Sequence, residues 1–168
     1  MPECSGATAT VRPAADADHP AIWAILKPVF RAGDTYTVDP AISRGDALAY
    51  WMQARCYVAQ ADGEVLGTYY LKTNQHGGGS HVCNCGYATS PAARGRGIAS
   101  AMLAHSLREA KAVGYKAMQF NFVVTTNQGA IRLWKRAGFA EAGRLPGVFL
   151  HPEKGYVDAL VLHKSLET

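Results

Sequence analysis

The chain has 168 residues, 48% of them apolar and 18% charged, with a formal net charge of +4. That length suits one domain burying about two-thirds of its unfolded surface, and the apolar share supplies a full core. The mild charge, without a Lys/Arg run, excludes the footprint of a nucleic-acid binder, and no window reaches the ~18 consecutive apolar residues of a membrane span.

Residues 1–7 lack the apolar segment of a secretory leader and are expected to be a disordered tail ahead of a single domain over 8–168. Thr8–Pro13 alternates as a first strand. Asp16 or Asp18 can cap a helix from about Pro20 to Arg31, with Pro20 in its first turn. Ile22, Trp23, Ile25, Leu26, Val29 and Phe30 recur at helical spacing and read as core, while Pro28 should bend or shorten that helix. Gly33–Pro40 is a loop by its Gly, Asp and Pro content, and Ser43 with Asp46 resembles a cap for a short helix to about Ala54.

Cys56–Ala61 and Val65–Lys72 are β-prone runs joined by Asp62-Gly63, a hairpin signal. Asn74–Ser80 is a flexible loop. A strand, Ser80–Thr89, then a helix, Ile98–Val113, follow, with Pro91 punctuating the turn between them. Lys116–Val124 is a strand with Met118, Phe120 and Phe122 on one face; Asn127–Ala137 is a helix stopped by Gly138. Phe139–Leu145 and Tyr156–Leu162 read as the last strands, separated by a loop holding Pro146, Gly147 and Pro152. This order predicts an α/β (α+β) fold with a mixed, mostly antiparallel sheet of about six to seven strands.

The turn Arg94-Gly95-Arg96-Gly97-Ile98-Ala99 opens a helix directly after a strand. Free backbone N–H groups and the positive end of the helix dipole attract a phosphate there, and glycines let an anion approach the backbone. Arg94 and Arg96 flank those glycines and can add charge-assisted contacts, one of them being expected to stay a solvated surface residue.

These residues resemble the GCN5-related N-acetyltransferase (GNAT) superfamily. Its phosphate loop reads Gln/Arg-x-x-Gly-x-Gly/Ala, which Arg94–Ala99 matches. Asn127, Ala130, Trp134, Gly138 and Phe139 fit a second segment of its pattern. The resemblance covers roughly 8–166 and implies helices on both faces of a sheet with a splayed strand pair, His81–Thr89 and Lys116–Val124. It implies acetyl-CoA as acetyl donor, with Tyr87, Ala88, Thr89, the Arg94–Ala99 loop, Asn127 and Trp134 at its site, and direct attack by an amine through a tetrahedral intermediate. Many members place Tyr where Trp134 stands and use it to protonate the departing thiolate. An indole N–H cannot serve as that acid.

Asn84, Asn121 and Asn127, with Leu145-Pro146-Gly147 and Gly155-Tyr156-Val157-Asp158, further resemble a subgroup containing fungal proline-analogue (azetidine-2-carboxylate) acetyltransferases. Asn is depleted in strands, yet Asn84 and Asn121 fall mid-strand in the two segments expected to splay. One amide could hold the acceptor or its carboxylate and the other the thioester oxygen or oxyanion, or both could simply satisfy the gap. Asn127 could instead be a plain helix N-cap.

His81, Cys83 and Cys85 share a strand face but are too widely spaced for one metal ion, so no metal is expected and the cysteines read as buried. With Cys4 and Cys56 they suggest a reducing, cytoplasmic setting. Asp34, Tyr36, Asp39, Tyr87, His151 and Asp158 are candidate general bases, and the resemblance implies that Asp34 with Tyr36 lie on the acceptor side, since the loop after the first helix covers the acceptor in that fold. The reading is an N-acetyltransferase for a small-molecule amine, an amino or imino acid by preference, with a homodimer possible. The alternatives are acetylation of a protein or peptide amine, and an acyl-CoA-binding module without turnover.

Overall fold

Asp62 and Gly63 both take positive φ, 52° and 78°, the backbone of a two-residue hairpin turn. They join β2 (Arg55–Ala61) to β3 (Glu64–Thr73). The computed structural model describes residues 8–167, so the tail expected over 1–7 lies outside the described residues.

Around that hairpin the chain runs β1 (Thr10–Pro13), α1 (His19–Ala32), α2 (Arg44–Trp51), β2, β3, β4 (Val82–Thr89), α3 (Ile98–Val113), β5 (Ala117–Val124), α4 (Gln128–Arg136), β6 (Ala140–His151) and β7 (Gly155–Ser165). The seven strands form one sheet in the order β1-β2-β3-β4-β5-β7-β6. Among the described residues, only β4 and β5 pair in parallel. Ile22, Ile25, Leu26 and Phe30 of α1 join Trp51 of α2 in a core on one face. On the other face, Ile98, Met102 and Leu103 of α3 and Ile131 of α4 pack on Tyr69, Leu71, Met118 and Leu162. No helix among the described residues is long and apolar enough to cross a membrane.

Local chemistry explains the element ends. Ser43 accepts a bond from the Asp46 N–H at 3.1 Å and donates to its carboxylate at 2.7 Å, capping α2. Gly33, at φ 63°, terminates α1. Pro28 does not shorten α1, which continues to Ala32, because it forfeits only one N–H bond.

Two other expectations need correction. The loop expected at Pro146-Gly147 is part of β6, which continues to His151. A register shift between Leu145 and Phe149 absorbs the proline on an edge strand, and Asp158 of β7 accepts the Gly147 N–H at 2.9 Å. In β5, a shift between Phe120 and Val123 breaks the alternation. Val123 therefore joins Met118 and Phe120 in the core, and Phe122 lies 6.2 Å from the Phe149 ring.

The β3–β4 register pairs Tyr70 with Gly86 and Lys72 with Asn84. A Cβ on Gly86 would meet Tyr70 ring atoms at 2.5–2.8 Å, so the ring lies directly on the β4 backbone. Gly86→Ala should lower the unfolding free energy by about 1–3 kcal/mol; an unchanged denaturant midpoint would show that the ring can move aside. At the start of α1, Asp18 takes two bonds from Arg12 (2.7 and 2.8 Å) and one from the Ala15 N–H (2.8 Å). Arg12 above all holds its carboxyl down at about 2. A depressed folded pKa stabilises above the usual value of about 3.9 and loses that contribution as pH falls from about 4 towards 2. Acid titration of stability should show this loss in the wild type and not in Asp18→Asn.

Candidate active site at a splayed strand pair

β4 and β5 share only two registered pairs, Val82 with Ala117 and Cys83 with Met118, after which they diverge. Bonds from Asn74 N–H to Val82 O (2.9 Å) and Ser90 N–H to Leu66 O (2.8 Å) show that even-numbered β4 residues bond to β3. By alternation, the N–H and C=O groups of Cys85, Tyr87 and Thr89 point away from β3 into the gap. Asn84 stands where the strands part, and its Nδ2 donates to Gln119 O at 2.9 Å. Its amide thus satisfies the fork, one of the roles open to it from sequence, while its oxygen has no protein donor among the described residues.

A cleft of about 890 Å³ opens at the gap. It brings together Asp34, Tyr36, Asn84, Tyr87, Ala88, Thr89, Arg94, Ala99, Asn121, Asn127 and Trp134. A hollow of about 400 Å³ beside it is lined by Thr89, Arg94, Gly95, Gly97, Ile98 and Ala99. Arg96 lines neither. Its guanidinium donates to Asp62 at 2.7 Å, on the β2–β3 turn. Arg94 is therefore the loop's cation facing the cleft, while Arg96 is engaged by the β2–β3 turn.

The loop itself leaves its backbone open. Gly95 and Gly97 sit at φ 73° and 71°, where a side chain would be strained, and a Cβ on either would meet nothing within 4 Å. Ala101 N–H makes the first bond of the helix ladder, to Gly97 O at 3.0 Å. The N–H groups of Ile98, Ala99 and Ser100 precede it and have no partner within the helix.

The remaining candidates separate by their partners. Tyr36 donates its hydroxyl to Tyr87 O at 2.7 Å, and burial raises its pKa far beyond the physiological range. The Tyr87 hydroxyl bonds Ser106 Oγ at 2.7 Å and is also raised by burial. Neither phenol can serve as a base at neutral pH. Asp158 is lowered by the Gly147 N–H and then by Arg144, and Asp39 accepts the Ala41 N–H in its own turn at 2.8 Å. His151 Nδ1 accepts the Glu153 N–H at 3.1 Å, away from the cleft. Asp34 is the carboxylate among the described residues that lines it.

Asn127 makes no side-chain cap for α4 and turns to the cleft instead. Asn121 is exposed, with Nδ2 donating to Asn74 at 2.6 Å and its oxygen accepting from Gln119 at 2.9 Å. Trp134 packs against Phe120, with ring centroids 4.6 Å apart. Cys83 is a buried thiol that burial pushes up to about 12, and Cys85 is raised for the same reason. Thiolate nucleophiles are thereby disfavoured.

Tyr50, Tyr70, Lys72, Asn74 and Gly86 also line the cleft and were not singled out from sequence. Alternation along β3 puts Tyr70 and Lys72 on one face. Only the register against Gly86 and Asn84 directs that face at the fork.

A sequence profile described as the acetyltransferase (GNAT) family matches residues 20–139. The chain is 40% identical over 103 residues to N-acetyltransferase aca1 of Schizosaccharomyces pombe, a match taking in 58% of this chain and 47% of that protein. The chain thus spans about half the length of that curated relative. A GCN5-related N-acetyltransferase from Kribbella flavida superposes with a TM-score of 0.90 at 39% identity, covering 94% of this chain and 98% of that one. The structure of yncA from Salmonella typhimurium with its cofactor acetyl-CoA shares the fold at a TM-score of 0.82, with 22% identity and 95% of each chain covered.

The two strand asparagines should behave differently when truncated. Asn84→Ala leaves the Gln119 carbonyl unpaired at the fork and should cost about 1–2 kcal/mol of stability, whereas Asn121→Ala, on the surface, should stay within about 0.5 kcal/mol of wild type. Equal losses in chemical denaturation would sink this distinction.

Proposed function

The chain belongs to the GNAT acetyltransferase family, and from that membership we propose that it is an acetyl-CoA-dependent N-acetyltransferase acting on the amine of a small amino or imino acid. The observation that carries the reading is the fork: unpaired strand backbone running into a loop of unpaired helix amides, with Arg94 at that end. The cradle suits a pyrophosphate on a thin chain, because Gly95 and Gly97 leave open space where a side chain would stand.

In this reading Gly95, Gly97, Ile98 and Ala99 hold the pyrophosphate through backbone N–H groups, and Arg94 adds charge. The gap-facing groups of Cys85 and Thr89, with the Tyr87 N–H, take the extended arm as a further strand would be taken, the Tyr87 carbonyl being held by Tyr36. Acetyl-CoA supplies an activated thioester, and the acceptor amine attacks its carbonyl carbon directly. Asp34 orients the ammonium and receives its proton, directly or through water. Asn84 Oδ1 and Asn127 steady the reacting groups, and Asn121 stands beside the acceptor. Trp134 packs against the arm, so the departing thiolate takes its proton from water. A CoA thiol has a pKa near 8.5, so its thiolate leaves without a strong acid. The free thiols Cys56, Cys83 and Cys85 support a reducing, cytoplasmic setting.

Release of free CoA thiol with a panel of amino and imino acids is the expected result; tight acetyl-CoA binding without release for any amine would overturn the enzyme in favour of a binding module. Gly97→Glu puts a carboxylate in the cradle and should abolish acetyl-CoA binding by calorimetry, with a stability loss of only about 1–2 kcal/mol from the left-handed backbone. Retained affinity in a folded Gly97→Glu protein would remove the loop from the site.

A further inference from the structure

We propose that Lys72 binds the carboxylate of the acceptor, so that the cleft selects amines bearing a neighbouring carboxylate; this rests on the amino- or imino-acid reading and specifies how that class is recognised. Three charged side chains line the cleft among the described residues: Arg94, Asp34 and Lys72. Arg94 belongs to the phosphate loop. The other two carry opposite signs, and an amino or imino acid at neutral pH carries the complementary charges.

Lys72 is placed for this task by the β3–β4 register. It stands opposite Asn84 at the point where β4 and β5 part. Asn84 is five residues from Thr89, roughly 17 Å along the strand, so Lys72 and the phosphate loop lie towards opposite ends of the gap. The cation therefore belongs to the part of the cleft left for the acceptor, beyond the polyanionic end of the donor.

Its ammonium is also held. Lys72 Nζ lies 5.3 Å from the centroid of the Tyr70 ring, within the range of a cation–π contact. That ring rests on the bare backbone of Gly86. Lys72 takes part in none of the ion pairs among the described residues. A cation held over an aromatic face inside a cleft, without an ion-pair partner among the described residues, attracts an anion from outside. A simple alkylammonium acceptor would meet like charge there, and a peptide amine would bring an uncharged amide.

The experiment compares free amino and imino acids with their carboxamides in the thiol-release assay, using the full chain. Wild type should favour the acids. Lys72→Met should raise KM for the acids roughly 10–100-fold, leave KM for the carboxamides within about threefold, and leave acetyl-CoA affinity unchanged. Lys72→Arg should restore the preference. Lys72→Gln, of similar length and polar, provides the same comparison if Met disturbs folding. A Lys72→Met or Lys72→Gln enzyme that keeps the wild-type preference for acids overturns the role of Lys72 and leaves the acceptor class standing. A wild-type enzyme that turns over carboxamides or peptides as readily as acids, or no carboxylate-bearing amine at all, overturns the class, and the role of Lys72 with it.

Discussion

The divergence of β4 from β5 after Cys83 is the constraint on which the rest of the structure depends. A sheet interior normally pairs every backbone N–H and C=O, and a buried group without a partner costs about 1–3 kcal/mol. Here a parallel ladder stops after two pairs in the middle of the sheet. The protein offsets this at two points with side chains: Asn84 caps the fork through Gln119 O, and Tyr36 reaches from the loop after α1 to Tyr87 O. What remains open is the row of polar groups that a ligand backbone can complete. Site and fold are therefore one feature: the defect in the ladder creates the cleft, and packing on both faces keeps the defect from closing.

That packing is unusually aromatic on the α1–α2 face. Phe30, Tyr36, Tyr50, Trp51 and Tyr70 meet edge to face, with ring centroids 4.9–6.3 Å apart. Such pairs contribute about 0.5–1.5 kcal/mol each beyond area burial. The indole of Trp51 donates to Thr68 at 2.9 Å, and Thr68 in turn donates to Tyr57 O at 2.9 Å, so the indole N–H buried in this cluster is satisfied. Arg31 ties the following loop back by donating to the carbonyls of Pro40 and Ile42. Asp34 is thus delivered to the cleft from a braced loop.

Much of this was legible from local signals. Asp62-Gly63 announced a hairpin because few residue pairs accept two successive positive φ values, and Ser43 with Asp46 announced a helix start. Arg94–Ala99 announced an open turn into a helix, and both of its glycines do take positive φ. The two strand asparagines drew attention because that residue is rare in strands, and Asn84 does sit at the fork. The losses came where tertiary geometry overrides local pattern. Pro146 and Gly147 look like a loop, yet an edge strand tolerates a proline, and Asp158 recruits the glycine N–H. Phe122 alternates correctly with Met118 and Phe120, yet a bulge moves Val123 into its expected place. Lys72 carries no local signal, since a lysine late in a strand reads as a solvated end; only the β3–β4 register shows what it faces. The charged candidates Asp158 and Asp39 were plausible by position and are tied up by partners that no motif announces.

The contact between Tyr70 and Gly86 makes two positions on neighbouring strands into one unit. The space occupied by the ring is the space a side chain at 86 would need, so volume at one can be gained only by surrendering it at the other. Substitutions at the pair are therefore not independent, and their effects should not add. For anyone reshaping this cleft for bulkier molecules, the accessible route is to shrink residue 70 and leave 86 bare. The reverse exchange would raise the floor of the cleft, and either exchange removes the ring on which the lysine rests.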